Sequence, residues 1–378
     1  MNVQLENLLR EITDKTTMND QFPVLTSSKD GLFLQSDYFN KKVASRDNTG
    51  YKIIRRGQFT YRAMSDTGEF FPNMLECIDI GIVSPAYPVF EIAKTDIILP
   101  EYLQFFFKSD AFQYSISSFA QGSTRTSVKF SKIQSVQLSL PSIEKQKFII
   151  EALKKAQNLL EIRKKSLSAC DTLIKARFVE MFENQKYPIM SVNDVIIPGA
   201  GLSYGIIVPG DYYEDGCPMV RPSDYQNGKL DLSNVYKVKP EIEAKYTRTR
   251  LQGNEILVQV IGQPGQIILA TKECQGMNVT RNLAVIRPNS EIVDRIYLTE
   301  YMRTVKAQIY LTGSAKQSTL KQLPLGLLKS LEIPIPPLEQ QHLFASFVSQ
   351  IDKSKSLIQS ALAKDQLLFD SLMQKYFG

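Results

Sequence analysis

Apolar residues recur along this chain at two different periods. Short β-prone runs broken by Gly and Pro come first, YKIIRRGQFTY at 51–61 and IGIVSPAYPVF at 80–90. GNEILVQVIG at 253–262, GQIILATK at 265–272 and NLAVIRP at 282–288 repeat that texture. After each set of runs, LPEYLQFFFKSDAFQYSI at 99–116 and DRIYLTEYMRTVKAQIY at 294–310 carry apolar residues at helical spacing. The opening MNVQLENLLREITDK also reads as helical, so 1–21 is expected to be a helical segment. Two long stretches, 136–182 and 331–377, keep a seven-residue apolar period throughout. Leu153, Leu160, Leu167, Ile174 and Met181 share one phase. In the later stretch that phase holds Val348, Lys355, Leu362, Phe369 and Tyr376, and a second phase holds Ile351, Ile358 and Leu372 with Asp365 interrupting. Such a stripe must pair with another helix, because a lone helix would leave it in water. About 40 residues at 1.5 Å each make a rod of roughly 60 Å. Pro141 and Pro336–Pro337 stand where a first helical turn needs no internal N–H partner.

The two long stretches align without a gap at a spacing of 195 residues. Pro141 matches Pro336, Glu144 matches Glu339, Gln146 matches Gln341 and Phe182 matches Phe377. Upstream, Tyr51 matches Tyr246, and Tyr102-Leu103 matches Tyr297-Leu298. FPVL at 22–25 and YPIM at 187–190 also resemble each other, but out of frame by 30 residues, which implies an insertion between Tyr187 and Tyr246. Each half therefore reads as a mixed α/β domain followed by a long helix. The expected segments are 1–21, a first domain 22–141, a long helix 142–183, a second domain 184–336 and a long helix 337–378. The partner of each seam is expected to be the other copy.

Composition narrows the chemistry. With 378 residues the chain has room for two or three domains, and 43% hydrophobic residues suffice for packed cores. No apolar run is long enough to cross a membrane, and the start has acids inside its apolar pattern, unlike a signal peptide. Cys77, Cys170, Cys217 and Cys274 are far apart, which fits no zinc ribbon or disulfide framework and suits a reducing cytoplasm. The only histidine, His342, lies in the amphipathic PPLEQQHLF and reads as a partly exposed helix residue. Triads and histidine metal sites would all have to be built around it. GAGLSYG at 199–205 lacks the G-x-G-x-x-G spacing and a following helix, and neither a P-loop nor an Asn/Asp-Pro-Pro-aromatic motif is present. Glu241 and Glu243 lie in charged, loop-like sequence and read as solvated. No catalytic or metal site is expected.

The net charge is +6, and its placement matters more than its sum. Lys41, Lys42, Arg46, Lys52, Arg55, Arg56 and Arg62 face one acid, Asp47, in a single window. Residues 111–143 hold no acid, and GSTRTS at 122–127 sets small hydrogen-bonding residues around Arg125. GSAKQS at 313–318 repeats the idea before the second long helix. Such loops can approach phosphate closely while the cation reaches further. The candidate DNA contacts are Lys41, Lys42, Arg46, Lys52, Arg62, Ser123, Thr124, Arg125 and Thr126 in the first half. Those in the second half are Tyr204, Gln263, Arg281, Ser314, Lys316 and Gln317. A merely solvated basic face is the competing reading of each cluster.

LPSIEKQKFI with LLEIRKKSLSACDTLIKARFVEMF, and IPIPPLEQQHLFASF with its helix, resemble the specificity subunits of Type I restriction–modification enzymes. DGLFLQSDYFNKKVAS, YKIIRRGQFTY, GIVSPAY and GSTRTSV look like a target-recognition domain of that family. The resemblance covers nearly the whole chain. It implies an α/β fold of two target-recognition domains joined by two antiparallel helices in a coiled coil, as a pseudo-twofold repeat. Each domain would read one half of a bipartite, asymmetric site in double-stranded DNA. Two methyltransferase subunits would dock on the helices, and restriction subunits would join through them. S-adenosylmethionine, ATP and Mg would then belong to those partners, and this chain would bind no cofactor and catalyse nothing. A two-domain DNA-binding scaffold or regulator outside restriction is the alternative. An enzyme acting on a polyanion through carboxylates is a further rival, and it requires activity of the chain alone.

Overall fold

The computed structural model describes residues 2–38, 47–119, 126–226, 228–313 and 322–378. Lys41, Lys42, Arg46, Ser123, Thr124, Arg125, Ser314, Lys316 and Gln317 lie outside the described residues. The chain forms two compact units, one of residues 1–164 with 359–378 and the other of residues 165–358. Each unit thus contains one mixed α/β domain and a piece of both long helices. No described helix is long and apolar enough to cross a membrane.

In the first unit the chain opens as a strand. Asn2–Gln4 pairs antiparallel with Gln137–Ser139, followed by one tight turn, Leu5–Asn7, and a second strand, Leu9–Ile12. The helix expected over 1–21 is therefore not formed. Leu5, Leu8, Leu9 and Ile12 do have helical spacing, but cross-chain pairing wins over local period and puts Leu5 and Leu8 fully into the core. Leu9–Ile12 edges an antiparallel sheet that continues through Val89–Ile92, Phe59–Thr60 and Asn73–Met74. Aromatic side chains fill its core, with the rings of Phe59, Phe90, Phe107 and Phe112 in mutual contact.

The second unit repeats this plan. Ile189–Ser191 pairs with Glu332–Pro334 and leads into the turn Val192–Asp194. Leu5 N–H donates to the Val136 carbonyl and Val192 N–H to the Leu331 carbonyl, each at 3.0 Å. YPIM thus corresponds to the opening strand Asn2–Gln4, not to FPVL. The opening strands lie 187 residues apart and their partner strands 195 apart, so the second copy is longer by eight residues. Its sheet runs Ser203–Tyr204, Leu283–Ile286, Ile256–Gln259 and Ile267–Leu269.

Each helix expected before the loops is split in two. Pro100–Phe107 and Asp110–Ser117 break at Ser109, whose Oγ accepts the Phe112 N–H at 3.2 Å. Arg295–Arg303 and Val305–Gly313 break at Thr304, whose Oγ1 accepts the Ala307 N–H at 3.3 Å. A capping hydroxyl satisfies a first-turn donor, so a new helix starts where the period alone shows none.

The long helices run Ile143–Phe178, extended by a wider turn Val179–Glu183, and Leu338–Phe377. Within the first unit, Ile149, Ile150 and Leu153 share a core with Met373 and Phe377, and Arg163 Nε lies 3.2 Å from Asp365. Within the second, Ile174, Phe178 and Phe182 share a core with Phe344 and Val348, and Lys355 Nζ lies 2.7 Å from Asp171. Leu153, Leu160, Ile174 and Val348 are buried, whereas Leu167, Met181, Ile351, Ile358, Leu362 and Phe369 are half-buried. The two polar interruptions of the second seam, Lys355 and Asp365, each meet an opposite charge on the first helix.

Candidate nucleic-acid interface

One glutamine in each unit ties the long helix to its domain. Gln146 is fully buried; its Oε1 accepts the Leu99 N–H at 2.9 Å, and its Nε2 donates to the carbonyls of Ile97 at 2.8 Å and Pro141 at 2.9 Å. Gln341 is fully buried with the same three partners one repeat on, Asp294 N–H at 2.8 Å, Ile292 carbonyl at 3.3 Å and Pro336 carbonyl at 2.7 Å. A second pair does the same for the helices before the loops. Gln113 Nε2 donates to Phe70 and Phe107 carbonyls, and Gln308 Nε2 to Gly265 and Met302 carbonyls. Tyr102 and Tyr297 donate to the Ser139 and Pro334 carbonyls at 3.1 and 2.7 Å. Burial pushes the Tyr102 hydroxyl up to about 12 and also raises that of Tyr297. The domain end of each helix is therefore held by matched, buried hydrogen bonds.

This scaffold fixes where the interface candidates stand. In the second unit the strand Ser203–Tyr204 lies beside Leu283–Ile286, with Tyr204 opposite Ala284. Gly205 allows the close crossing that follows, since a Cβ there would stand 2.0 Å from the Val279 carbonyl oxygen. Arg281 N–H then donates to the Ile206 carbonyl at 2.9 Å, and Val260 N–H to the Asn282 carbonyl at 2.8 Å. Ile261 bridges to Gln322, the first described residue after GSAKQS. Tyr204, Gln263, Arg281 and the root of that loop thus gather at one end of one sheet. Gln263 and Arg281 are exposed there, whereas Tyr204 is half-buried against the core.

The first unit instead places Lys52 and Thr126 on two separate strand pairs, with Lys52 on the pair Lys52–Arg55 with Ile80–Val83, and it differs in charge. Thr126–Ser127, the root of GSTRTS, pairs with Met64–Ser65, and Thr126 Oγ1 is committed to the Ser65 carbonyl at 3.1 Å. Thr126 therefore anchors the loop rather than projecting from it. Arg62 lies near Asp66 at 3.7 Å, Lys52 near Glu11 at 3.9 Å, Arg55 near Asp14 at 2.9 Å and Arg56 near Asp79 at 2.8 Å. The fold brings an acid to Lys52, Arg55 and Arg56, and Arg62 meets Asp66 four residues on. The excess read from sequence is thus largely cancelled in this part, although such exposed pairs are weak and can exchange for phosphate. Sequence reading missed Lys15, which bridges to Lys52. Nothing in its local context marks it, because the pairing joins segments 37 residues apart.

Of the two carboxylates read as solvated, Glu241 is exposed and Glu243 is not. Glu243, expected to be solvated, is buried; it accepts from Arg250 Nε at 2.8 Å, Arg250 Nη2 at 2.5 Å and Asn278 Nδ2 at 3.1 Å. The Arg250 hydrogen bonds hold its carboxyl below the usual carboxylate range. Glu255 is fully buried, accepts the N–H groups of Gln252, Gly253 and Asn254, and pairs with Arg287 at 3.2 Å. His342 is exposed on its helix, and the four cysteines are free. Among the described residues no three His, Cys, Asp or Glu side chains converge on a metal position.

Comparison with known proteins places this architecture. The sequence profile of the family described as the Type I restriction modification DNA specificity domain matches twice, over residues 13–169 and 206–364. The chain belongs to that family. It is similar to the Type I restriction enzyme EcoBI specificity subunit of Escherichia coli, 30% identical over 190 residues, or 49% of this chain and 40% of that protein. It also resembles the putative type I restriction enzyme MjaX specificity subunit of Methanocaldococcus jannaschii, 25% identical over 265 residues, covering 64% of this chain and 60% of that protein. The aligned regions thus span about half the length of these relatives. The fold is shared with the crystal structure of the S subunit of a Type I restriction–modification system from M. genitalium. There the TM-score is 0.58 at 13% identity, covering 100% of this chain and 96% of that one. A chain from a structural study of type I R-M complex assembly and conformational transition gives a TM-score of 0.57 at 16% identity over 100% and 97%.

Proposed function

We propose that this chain is the specificity subunit of a Type I restriction–modification complex, with each domain reading one half of a bipartite, asymmetric DNA site. The observation that carries the reading is the duplication itself: two units built on the same buried glutamine clamp, each with its own loop root and sheet end. The domains differ in sequence, so their half-sites differ. Base or phosphate contacts fall to Lys41, Lys42, Arg46, Lys52, Arg62, Ser123, Thr124 and Arg125, with Thr126 as anchor. In the second domain they fall to Gln263, Arg281, Ser314, Lys316 and Gln317, with Tyr204 supporting from the core.

The two long helices form an antiparallel coiled coil. Support comes from each unit separately, since low numbers on one helix meet high numbers on the other: Leu153 shares a core with Met373 and Arg163 pairs with Asp365, and likewise Phe178 contacts Phe344 and Asp171 pairs with Lys355. The coil sets the spacer between half-sites and carries two methyltransferase subunits. Equivalent exposed apolar residues support two copies of one partner, Phe148 and Ile162 on the first helix, Leu343 and Leu357 one repeat on. S-adenosylmethionine, ATP and Mg act in the methyltransferase and restriction subunits, which leaves this chain without catalysis. Four free cysteines suit a reducing cytoplasm.

Inserting one heptad into both helices, after Leu167 and after Leu362, adds about 10.5 Å of helix, or about three base pairs at 3.4 Å each. The methylated site should keep both half-sites and gain about three spacer bases. An unchanged spacer would refute the coil as ruler. Purification of the chain with DNA but without a methyltransferase partner would favour a regulator outside restriction.

A further inference from the structure

The second domain presents an apolar tip at the sheet end where its polar candidates gather. Ile207 and Val208 are 52% and 70% exposed. Neither hangs on a loose loop. On one side, Ile206 N–H donates to the Val279 carbonyl at 2.8 Å and the Ile206 carbonyl accepts the Arg281 N–H at 2.9 Å. On the other, the Gly210 carbonyl accepts the Tyr236 hydroxyl at 2.8 Å. Pro209 fixes one backbone angle between the two anchors. Two branched aliphatic side chains are thus held in water beside the exposed Arg281, where burial would otherwise favour hiding them. Three acids follow the tip: Glu214 is occupied by the Tyr212 hydroxyl at 2.7 Å and Lys237 at 3.1 Å, whereas Asp211 and Asp215 are exposed.

The first domain has an exposed apolar residue in the same connection, though not at the same position. Ile12 pairs with Val89 as Tyr204 pairs with Ala284, and Met18, 62% exposed, stands six residues on, where Ile207 and Val208 stand three and four on. Its flanks are also pinned: Thr16 Oγ1 donates to the Asn48 carbonyl at 2.9 Å, and Asp20 N–H to Asn48 Oδ1 at 2.7 Å. Lys15, three residues before Met18, bridges to Lys52.

We propose that Ile207 and Val208, and Met18 in the first domain, are base-reading residues. Held by phosphate contacts of the neighbouring cations, the tips enter the major groove and lie against thymine 5-methyl groups. The major groove exposes that methyl as its one apolar feature, so aliphatic side chains there discriminate an A·T pair. This inference rests on the DNA-reading function above and adds the chemistry of one contact.

The test uses the complete complex of specificity and methyltransferase subunits with a duplex carrying its methylated site. The Ile207→Ser, Val208→Ser double variant should lose about tenfold in specific affinity, the usual scale of one base contact. Its non-specific affinity and salt slope should stay unchanged, because no charge is removed. Arg281→Ala should instead flatten the slope. Deoxyuridine in place of thymine in the second-domain half-site should weaken the unaltered complex comparably and the double variant no further. Specific affinity within about twofold of the unaltered complex, a half-site without an A·T pair, or weakened subunit assembly instead of weakened DNA binding would overturn the proposal. Failure of the unaltered complex to bind any site selectively would overturn the DNA-reading function, and the tip with it.

Discussion

Replacing Gln146 with alanine removes three buried hydrogen bonds at once. The Leu99 N–H and the carbonyls of Ile97 and Pro141 lose their partner in a site with no exposure. Each such bond is worth about 1 kcal/mol net, and unsatisfied buried groups cost more than the mean, so the loss is about 3 kcal/mol. Gln341→Ala removes the equivalent three bonds in the second unit and should cost the same. For units of this size 1 kcal/mol moves a melting transition by about 2–4 °C, so each variant should lower one transition by about 6–12 °C. Differential scanning calorimetry of the two single variants is the assay, since the units can melt separately. A shift under about 2 °C in either would refute the claim that these glutamines fasten helix to domain. Unequal shifts would refute the equivalence of the two clamps.

Tyr102 gives a pH prediction. Its hydroxyl is raised to about 12 in the folded state from an ordinary value near 10, so the unfolded chain ionises first. The stabilisation is complete below about pH 10 and is lost as pH rises from about 10 to 12, which alkaline melts of Tyr102→Phe against the unaltered chain should show as a reduced slope. The seam charges give another. Asp171→Lys should destabilise the second unit, and the exchanged pair Asp171→Lys, Lys355→Asp should recover about 0.5–1 kcal/mol in a double-mutant cycle, the range for partly exposed pairs. A coupling of zero would mean the pair does not fix the register. Arg125→Ala should lower the slope of log affinity against log salt by about one, measured by DNA titration at several ionic strengths. An unchanged slope would mark a structural arginine.

The long helices are legible in the sequence because a seven-residue apolar period held from Leu153 to Met181 suits little besides paired helices, and Pro141 and Pro336 mark their starts. Gln146 and Gln341 stand in the repeat alignment, but their role is hidden there: their partners at Leu99 and Asp294 lie 47 residues away. The opening segment reads wrongly as helix because Leu5, Leu8, Leu9 and Ile12 satisfy a helical period, and pairing of Asn2–Gln4 with Gln137–Ser139 and of Leu9–Ile12 with Val89–Ile92 overrules it. Charge is the least legible property. The Lys41–Arg62 window is basic along the chain, yet Glu11, Asp14 and Asp79 come to its described members from elsewhere in the fold, and Asp66 lies just beyond its end. Glu243 fails for the same reason, since neither its burial nor Asn278 beside it can be read from neighbouring residues.

The central claim is that two independent domains read two different half-sites. Methylome sequencing of a host expressing the chain with its methyltransferase tests it most directly, alongside a variant whose residues 184–336 come from another specificity subunit. The unaltered chain should mark one bipartite, asymmetric site, and the exchanged chain should keep one half-site and change the other. A continuous site, a site with two identical halves, or simultaneous change of both halves would contradict the account.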